Sequence, residues 1–351
     1  MTRLRRTLRS VLALGLVAGL TLMGTACKNM DRKTPSLSGP SDAAKLSGED
    51  PSKKTYKIGI IQFAEHPSLE NCQKGFVQGL EERGYKENEA YSMDYQVAQA
   101  DTNLANQMAE NFASKGYDLI VGIATPAAQA AYNAGLKAGI PVIFNAVTDP
   151  VAAGFQNEDG TNKKGVTGTK DILPIKNQLE MIRAFQPDAK KIGILYSLSE
   201  ANSKASIETY EALAGDYNFE IVSQAISSEQ DIPAAAQSLV SKVDCLTNLT
   251  DNTVVQNLQV VMSKANAAQI PYYGSEEEQV TNGCIAAEGL DYIALGIVTG
   301  HMAADILEGA APEDVPIEQA EDSSPFINSK VMEELGIALP EAYKDATDMA
   351  K

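Results

Sequence analysis

Short apolar runs alternate with amphipathic stretches along most of the chain. Lys57-Ile58-Gly59-Ile60-Ile61 reads as a buried parallel strand, and Leu69, Cys72, Phe76 and Leu80 then recur at helical spacing up to Gly84. The same logic predicts strands over 56–63, 91–97, 118–124 and 141–146, with helices over 67–84, 103–115 and 127–138 between them. A segment over 166–171 follows and reads as a crossing. Beyond it the pattern predicts helices over 175–185, 203–217, 233–240 and 254–267, with strands over 191–196, 220–225, 245–249 and 271–274. A last strand over 284–288 precedes a long helix over 292–307, and 326–351 returns once more. Strands separated by helices of this length give an α/β architecture, a mostly parallel and doubly wound sheet.

The pattern is stated twice. Lys57-Ile58-Gly59-Ile60-Ile61 returns 134 residues later as Lys191-Ile192-Gly193-Ile194-Leu195, each copy followed by a polar turn with Glu and Ser. Asp118-Leu119-Ile120-Val121 leads to Thr125 as Asp244-Cys245-Leu246-Thr247 leads to Asp251, and Ile140-Pro141-Val142 matches Ile270-Pro271-Tyr272. A repeat this long means two lobes of one design, since solenoid units run about 20 to 50 residues.

The first 26 residues carry Arg3, Arg5, Arg6 and Arg9, an apolar run from Val11 to Met23, and then Gly24-Thr25-Ala26. That order is a signal peptide, with an apolar run short of the roughly 20 residues that span a bilayer. Small residues before Cys27 resemble the lipobox of bacterial lipoproteins, although Gly24 stands where that motif usually has Leu. Such a resemblance implies lipidation at Cys27, with 27–54, rich in Ser, Pro, Gly, Lys and Asp, as a flexible tether. Removing the four arginines takes the formal charge from −17 to about −21, which argues against nucleic acid as a partner. The odd set Cys72, Cys245 and Cys284 reads as buried apolar filling, with a Cys245–Cys284 disulfide as the alternative.

In open parallel α/β sheets, ligands sit beyond the carboxyl ends of the strands. The unusual residues fall there: Gln62, Glu65, His66, Thr125, Thr148 and Asp149 from the first half, and Tyr196, Glu200, Asn202, Ser203, Asp251, Asn252 and Ser275 from the second. Two such ends facing each other would form a cleft suited to a zwitterion. Thr125 or Ser203, with the free amides of a helix N-terminus, would hold a carboxylate, while Asp251, Glu200 and Glu65 would accept an ammonium. Phe63, Phe144, Tyr196 and one of Tyr272 and Tyr273 would surround a flat side chain, whose burial offers on the order of 4 to 6 kcal/mol before binding costs. On this reading Asp251→Ala abolishes binding and leaves the melting temperature of the empty protein almost unchanged. The bland readings are helix caps at Thr125 and Asp149, a solvated turn at Glu65-His66, a turn at Asp251-Asn252, and no ligand role for His301.

Gly59-Ile60-Ile61-Gln62-Phe63-Ala64-Glu65-His66-Pro67, Ala124-Thr125-Pro126-Ala127-Ala128-Gln129, Val147-Thr148-Asp149-Pro150-Val151, Gly193-Ile194-Leu195-Tyr196, Glu200-Ala201-Asn202-Ser203 and Thr250-Asp251-Asn252-Thr253 together resemble the tryptophan-type substrate-binding lipoproteins of ABC transporters. The resemblance spans roughly 56–340. It implies a type I periplasmic-binding-protein fold with three crossings between lobes, closure around an amino acid, delivery to a membrane permease, and a lipid anchor on the extracytoplasmic face. It divides the chain into a signal peptide (1–26), a lipidated tether (27–54), a first lobe (55–170 plus 289–318) and a second (171–288 plus 319–351). Ser275-Glu276-Glu277-Glu278 is more acidic than this family's usual loop, which leaves the ligand's side chain open.

An exported α/β hydrolase is the competing class. It finds little support, because no nucleophile-elbow, phosphate-loop, dinucleotide or zinc motif occurs, and His66 and His301 are the only histidines. Neither a cofactor nor a metal is expected. Among ligands, tryptophan or another aromatic amino acid leads, followed by a branched aliphatic amino acid, then a sugar or nucleoside.

Overall fold

The computed structural model describes residues 54–319 and 323–350. The expected signal peptide, Cys27 and almost all of the tether lie outside them. In the first lobe the order is β1 (Tyr56–Gln62), α1 (Pro67–Glu82), β2 (Tyr91–Val97), α2 (Thr102–Ser114), β3 (Leu119–Ile123), α3 (Thr125–Ala138), β4 (Val142–Asn145), α4 (Pro150–Ala153) and β5 (Val166–Lys170). The second continues with α5 (Ile175–Phe185), β6 (Lys191–Ser197), α6 (Ala201–Ala214), β7 (Glu220–Ile226), α7 (Ile232–Val240), β8 (Cys245–Thr247), α8 (Asn252–Gln256), α9 (Leu258–Ala268), β9 (Tyr272–Tyr273), α10 (Glu277–Thr281) and β10 (Ala286–Gly289). Then come α11 (Tyr292–Leu307) and β11 (Glu318–Gln319), and finally β12 (Ser324–Ile327), α12 (Ser329–Leu335) and β13 (Thr347–Asp348).

The repeat in the sequence becomes a repeat in topology. β1 lies between β2 and β3, with β4 beyond, and β6 lies between β7 and β8, with β9 beyond. All these pairings are parallel. β5 and β11 extend the first sheet to six strands, so 166–170 is a strand of that sheet and the crossing itself begins at Asp171. A second crossing runs from β10 into α11, and a third from β11 to β12. Hydrogen bonds from Gly274 N to Ala286 O and from Ile285 N to Tyr272 O, both 2.9 Å, carry the second sheet on towards the antiparallel β10–β12 pair.

Burial explains the runs. β3 and β4 are buried along their whole length, as strands covered by helices on both faces must be. One apolar core fills the first lobe, and two clusters fill the second: one beneath α5 and α6, the other beneath α7 and α9. α1 and α11 cross where Gly75 and Gly79 meet Gly296 and Gly300. A Cβ on Gly79 would lie 2.2 Å from Ile297 O, and one on Gly75 2.1 Å from Ile293 O, so only glycine permits the approach. This crossing sets the site, because the N-terminal ends of both helices contribute to it. His301 joins the same pair through Nε2 and Glu82 Oε2 at 2.9 Å and is part-exposed.

The structure differs from the sequence reading in several places. The helix expected over 254–267 is two, α8 and α9, broken at Asn257. Thr125 is the first helical residue of α3 and not its cap, which is Ala124 at φ +73°. Asp149 does cap α4, accepting from Val151 N at 2.9 Å and Ala152 N at 3.0 Å. Cys72, Cys245 and Cys284 are free and buried, without a Cys245–Cys284 bridge.

Candidate functional site

The carboxyl ends of the two sheets face each other and enclose a small cavity. The first lobe supplies His66 and Leu69 from the start of α1, Ala124 and Thr125 from the β3–α3 turn, and Ala146 and Thr148 beyond β4. The second supplies Asn202 from α6, Thr250 and Asn252 from the β8–α8 turn, and Glu276 beyond β9. Asp171 and Tyr292 come from the first two crossings. Ala124 and Ala146 both hold positive φ, +73° and +57°, a strain that clusters at functional sites.

Five residues expected from the sequence therefore meet at the cavity: His66, Thr125, Thr148, Asn202 and Asn252. The three expected ammonium acceptors do not. Glu65 is exposed and reaches Gln99 Nε2 at 3.4 Å. Glu200 is wholly buried within the second lobe. It accepts from Asn252 N and Nδ2, Thr253 N and Oγ1, and Asn202 Nδ2, at 2.6 to 3.2 Å. Asp251, equally buried, accepts from Ser197 N and Ser203 Oγ at 2.6 Å each and from Val254 N at 3.0 Å. Buried carboxylates need such donors, and here the donors are the chain's own backbone N–H groups, side-chain amides and hydroxyls, which fasten the β6–α6 turn to the β8–α8 turn. Glu200 thus holds Asn202 and Asn252 in place, Asp251 pins the two turns together, and neither acid lines the cavity. Burial and the charge of Glu200 push the Asp251 carboxyl up, while its three donors pull it back.

The remaining expectations resolve similarly. Ser203 serves Asp251, and Ser275 donates to Leu249 O at 3.0 Å, so neither lines the cavity. Asp149 is occupied as a cap. Tyr196 is half-buried against the core of the second lobe. Phe144 stacks on Phe155 and Phe63 is core, while Tyr272 and Tyr273 donate to Asn248 Oδ1 and Gln186 Oε1. The aromatic ring at the cavity is Tyr292, which sequence reasoning missed along with Asp171, Glu276 and Thr250. Signals existed: Asp171 ends a strand at a lobe crossing, Glu276 lies in the acidic run after β9, and Tyr292 opens the long helix.

Polar contacts across the lobes hold the cavity shut. Ser68 Oγ lies 2.6 Å from Glu276 Oε2 and 3.0 Å from Glu278 Oε2, and Asn71 Nδ2 donates to Glu278 Oε1 at 2.6 Å. Glu65 N donates to Gln256 Oε1 at 3.0 Å, and His66 Nε2 lies 3.4 Å from Asn252 Oδ1. Thr148 Oγ1 is 3.1 Å from Asp171 Oδ1 and 3.0 Å from Thr250 Oγ1, and Tyr292 Oη donates to Asp171 Oδ2 at 3.1 Å. Burial pushes Asp171 up to about 7 and raises Glu276 and Glu278, while it lowers His66 to about 4. Two buried atoms on cavity residues have no partner at all, His66 Nδ1 and Asn202 Oδ1.

Two parallel-sheet lobes, crossed three times by the chain and closed on a cavity lined from both sides, define a solute-binding protein of the type I periplasmic-binding-protein class. The family model for ABC transporter substrate binding protein matches residues 57–349, and the chain belongs to that family. A tyrosine-binding protein from Clostridioides difficile (strain R20291) is 40% identical over 295 residues, 84% of this chain and 85% of the relative. The structure of an ABC domain in complex with L-Trp from Streptococcus pneumoniae superposes with a TM-score of 0.80 at 35% identity, covering 84% of this chain and 99% of that one. A substrate binding protein with adhesive properties from Clostridium difficile, in its ligand-free, open structure, gives 0.63 at 36% identity over 84% and 98%. At nearly equal identity, the better fit to the ligand-bound structure is what a closed arrangement of the lobes produces.

Proposed function

We propose that this protein is the extracytoplasmic substrate-binding component of an ABC importer, capturing tyrosine or tryptophan by lobe closure and delivering it to a permease. The observation that carries the reading is the closed interlobe cavity with two unpartnered buried polar atoms, Asn202 Oδ1 and His66 Nδ1, on its walls. Native interiors rarely leave such atoms unpaired, and a polar ligand supplies the missing partners. The tyrosine-binding relative and the L-Trp complex point to an aromatic amino acid. Thr125 opens a 14-residue helix, whose first turn presents unpaired N–H groups and a positive dipole end to a ligand carboxylate. On this reading the signal-like N-terminus and Cys27 make it a lipoprotein tethered to the membrane.

Thermal-shift screening of the twenty amino acids, followed by calorimetry on the hits, tests the reading. A ligand at 100 times its Kd stabilises by about 2.7 kcal/mol, so tyrosine or tryptophan is expected to raise the melting temperature by several degrees. A panel in which neither one shifts the transition while another solute class does would overturn it.

A further inference from the structure

The closed cavity is over-supplied with acid. Asp171 is flanked by Thr148, Tyr292, Glu276 and Cys72, and Glu276 by Ser68, Gln279, Tyr292 and Glu278. Glu278 meets Ser68 and Asn71, with Lys74 Nζ behind at 3.4 Å from Asn71 Oδ1, and His66 is close by. None of the ion pairs among the described residues reaches these three carboxyls. Their hydrogen bonding is short of protons as well. The single hydroxyl hydrogen of Ser68 can serve Glu276 Oε2 at 2.6 Å or Glu278 Oε2 at 3.0 Å, but not both. Also lining the cavity from the second lobe, the Asn202 Oδ1 acceptor, on a residue 2% exposed, has no donor.

We propose that Asp171 and Glu276, with Glu278 behind them, form the subsite for the ligand's ammonium group, and that in the empty closed protein a proton takes that cation's place. The inference rests on the amino-acid reading above and names its charged end. An ammonium carries three donors, enough for both carboxylates and for Asn202 Oδ1. Without it, closing the lobes buries like charges together, which is tolerated only if one carboxyl is neutral. Burial raises all three carboxyls, so empty closure takes up a proton. Closure is favoured at low pH and lost as pH rises through the buried value, near 7 for Asp171. His66, lowered by burial, runs the other way below its ordinary 6.5, so the effect is read from pH 6.5 upward.

Calorimetry with tyrosine and with 3-(4-hydroxyphenyl)propionate, its amine-free analogue, separates the outcomes, with tryptophan and indole-3-propionate as the parallel pair. The amino acid is expected to bind with little change between pH 6.5 and 8. The analogue should bind at least about 100-fold more weakly at pH 8 and gain up to tenfold per pH unit on acidification. Glu276→Gln, which keeps an acceptor for Ser68, should weaken the amino acid and flatten the analogue's pH dependence, and Asp171→Asn should do the same. Equal binding of both at pH 8, or an analogue indifferent to pH, overturns the proposal.

A second arm needs no ligand. Small-angle scattering of the empty protein should show a more compact particle at pH 6.5 than at pH 8, and Glu276→Gln should be compact at both. Dimensions that ignore both pH and the substitution overturn the proposal, whatever the ligand is. Failure of tyrosine and tryptophan to bind, beside a scattering change of the expected sign, would count against the ligand reading alone.

Discussion

Asp251→Ala separates a ligand-binding carboxylate from one that holds the fold. The side chain is fully buried and accepts from Ser197 N, Ser203 Oγ and Val254 N. Truncation leaves two buried backbone N–H groups without partners, since the Ser203 hydroxyl can rotate and they cannot. Each orphaned group costs about 1 to 3 kcal/mol, so the loss is about 2 to 6 kcal/mol, a large part of the 5 to 15 that ordinarily separates folded from unfolded. At about 2 to 4 °C per kcal/mol for domains of some 150 to 250 residues, the melting temperature of the empty protein should fall by about 4 °C or more. Asp251→Asn retains an acceptor and removes the repulsion from Glu200, so it should cost less. Thermal unfolding of both variants without ligand, beside calorimetry with tyrosine and tryptophan, is the assay. An unchanged melting temperature together with abolished binding would refute the structural assignment and restore the expectation drawn from sequence.

Three further outcomes follow from the same geometry. Gly79→Val drives a side chain into Ile297 O at the α1–α11 crossing; overpacking of this kind costs about 1 to 3 kcal/mol or more, visible as an earlier urea transition, and should weaken ligand binding because both helices end at the cavity. Ser68→Ala combined with Asn71→Ala removes bonds that latch the lobes, so ligand should dissociate about tenfold faster in stopped-flow experiments while the empty protein melts within about 1 kcal/mol of wild type. Tyr292→Phe deletes the donor to Asp171 Oδ2 and should weaken binding by about tenfold in calorimetry without disturbing the far-ultraviolet circular dichroism.

Much of the fold was legible because its signals are local. Buried parallel strands read as apolar runs, α5 and α11 fall on their expected bounds, and the echo of Lys57–Ile61 in Lys191–Leu195 announced two sheets of one topology. The break at Asn257 and the short elements α4, α10 and β11 were not, since two to five residues carry no periodicity to read.

For the site, sequence alone determined the strand ends from which it is built, and hence His66, Thr125, Thr148, Asn202 and Asn252 as wall residues. Only the tertiary structure decided which carboxyls face the gap. Glu200 and Asp251 look in the chain like free acids beside a turn. Folding brings the turns of β6 and β8 together and surrounds both with N–H and hydroxyl donors, so their charge is spent inside the second lobe. Asp171 and Glu276 lie 105 positions apart in the chain and come together only in the folded structure. Whether an acid is satisfied by its own backbone or left for a guest depends on what arrives from distant segments, which no local pattern records.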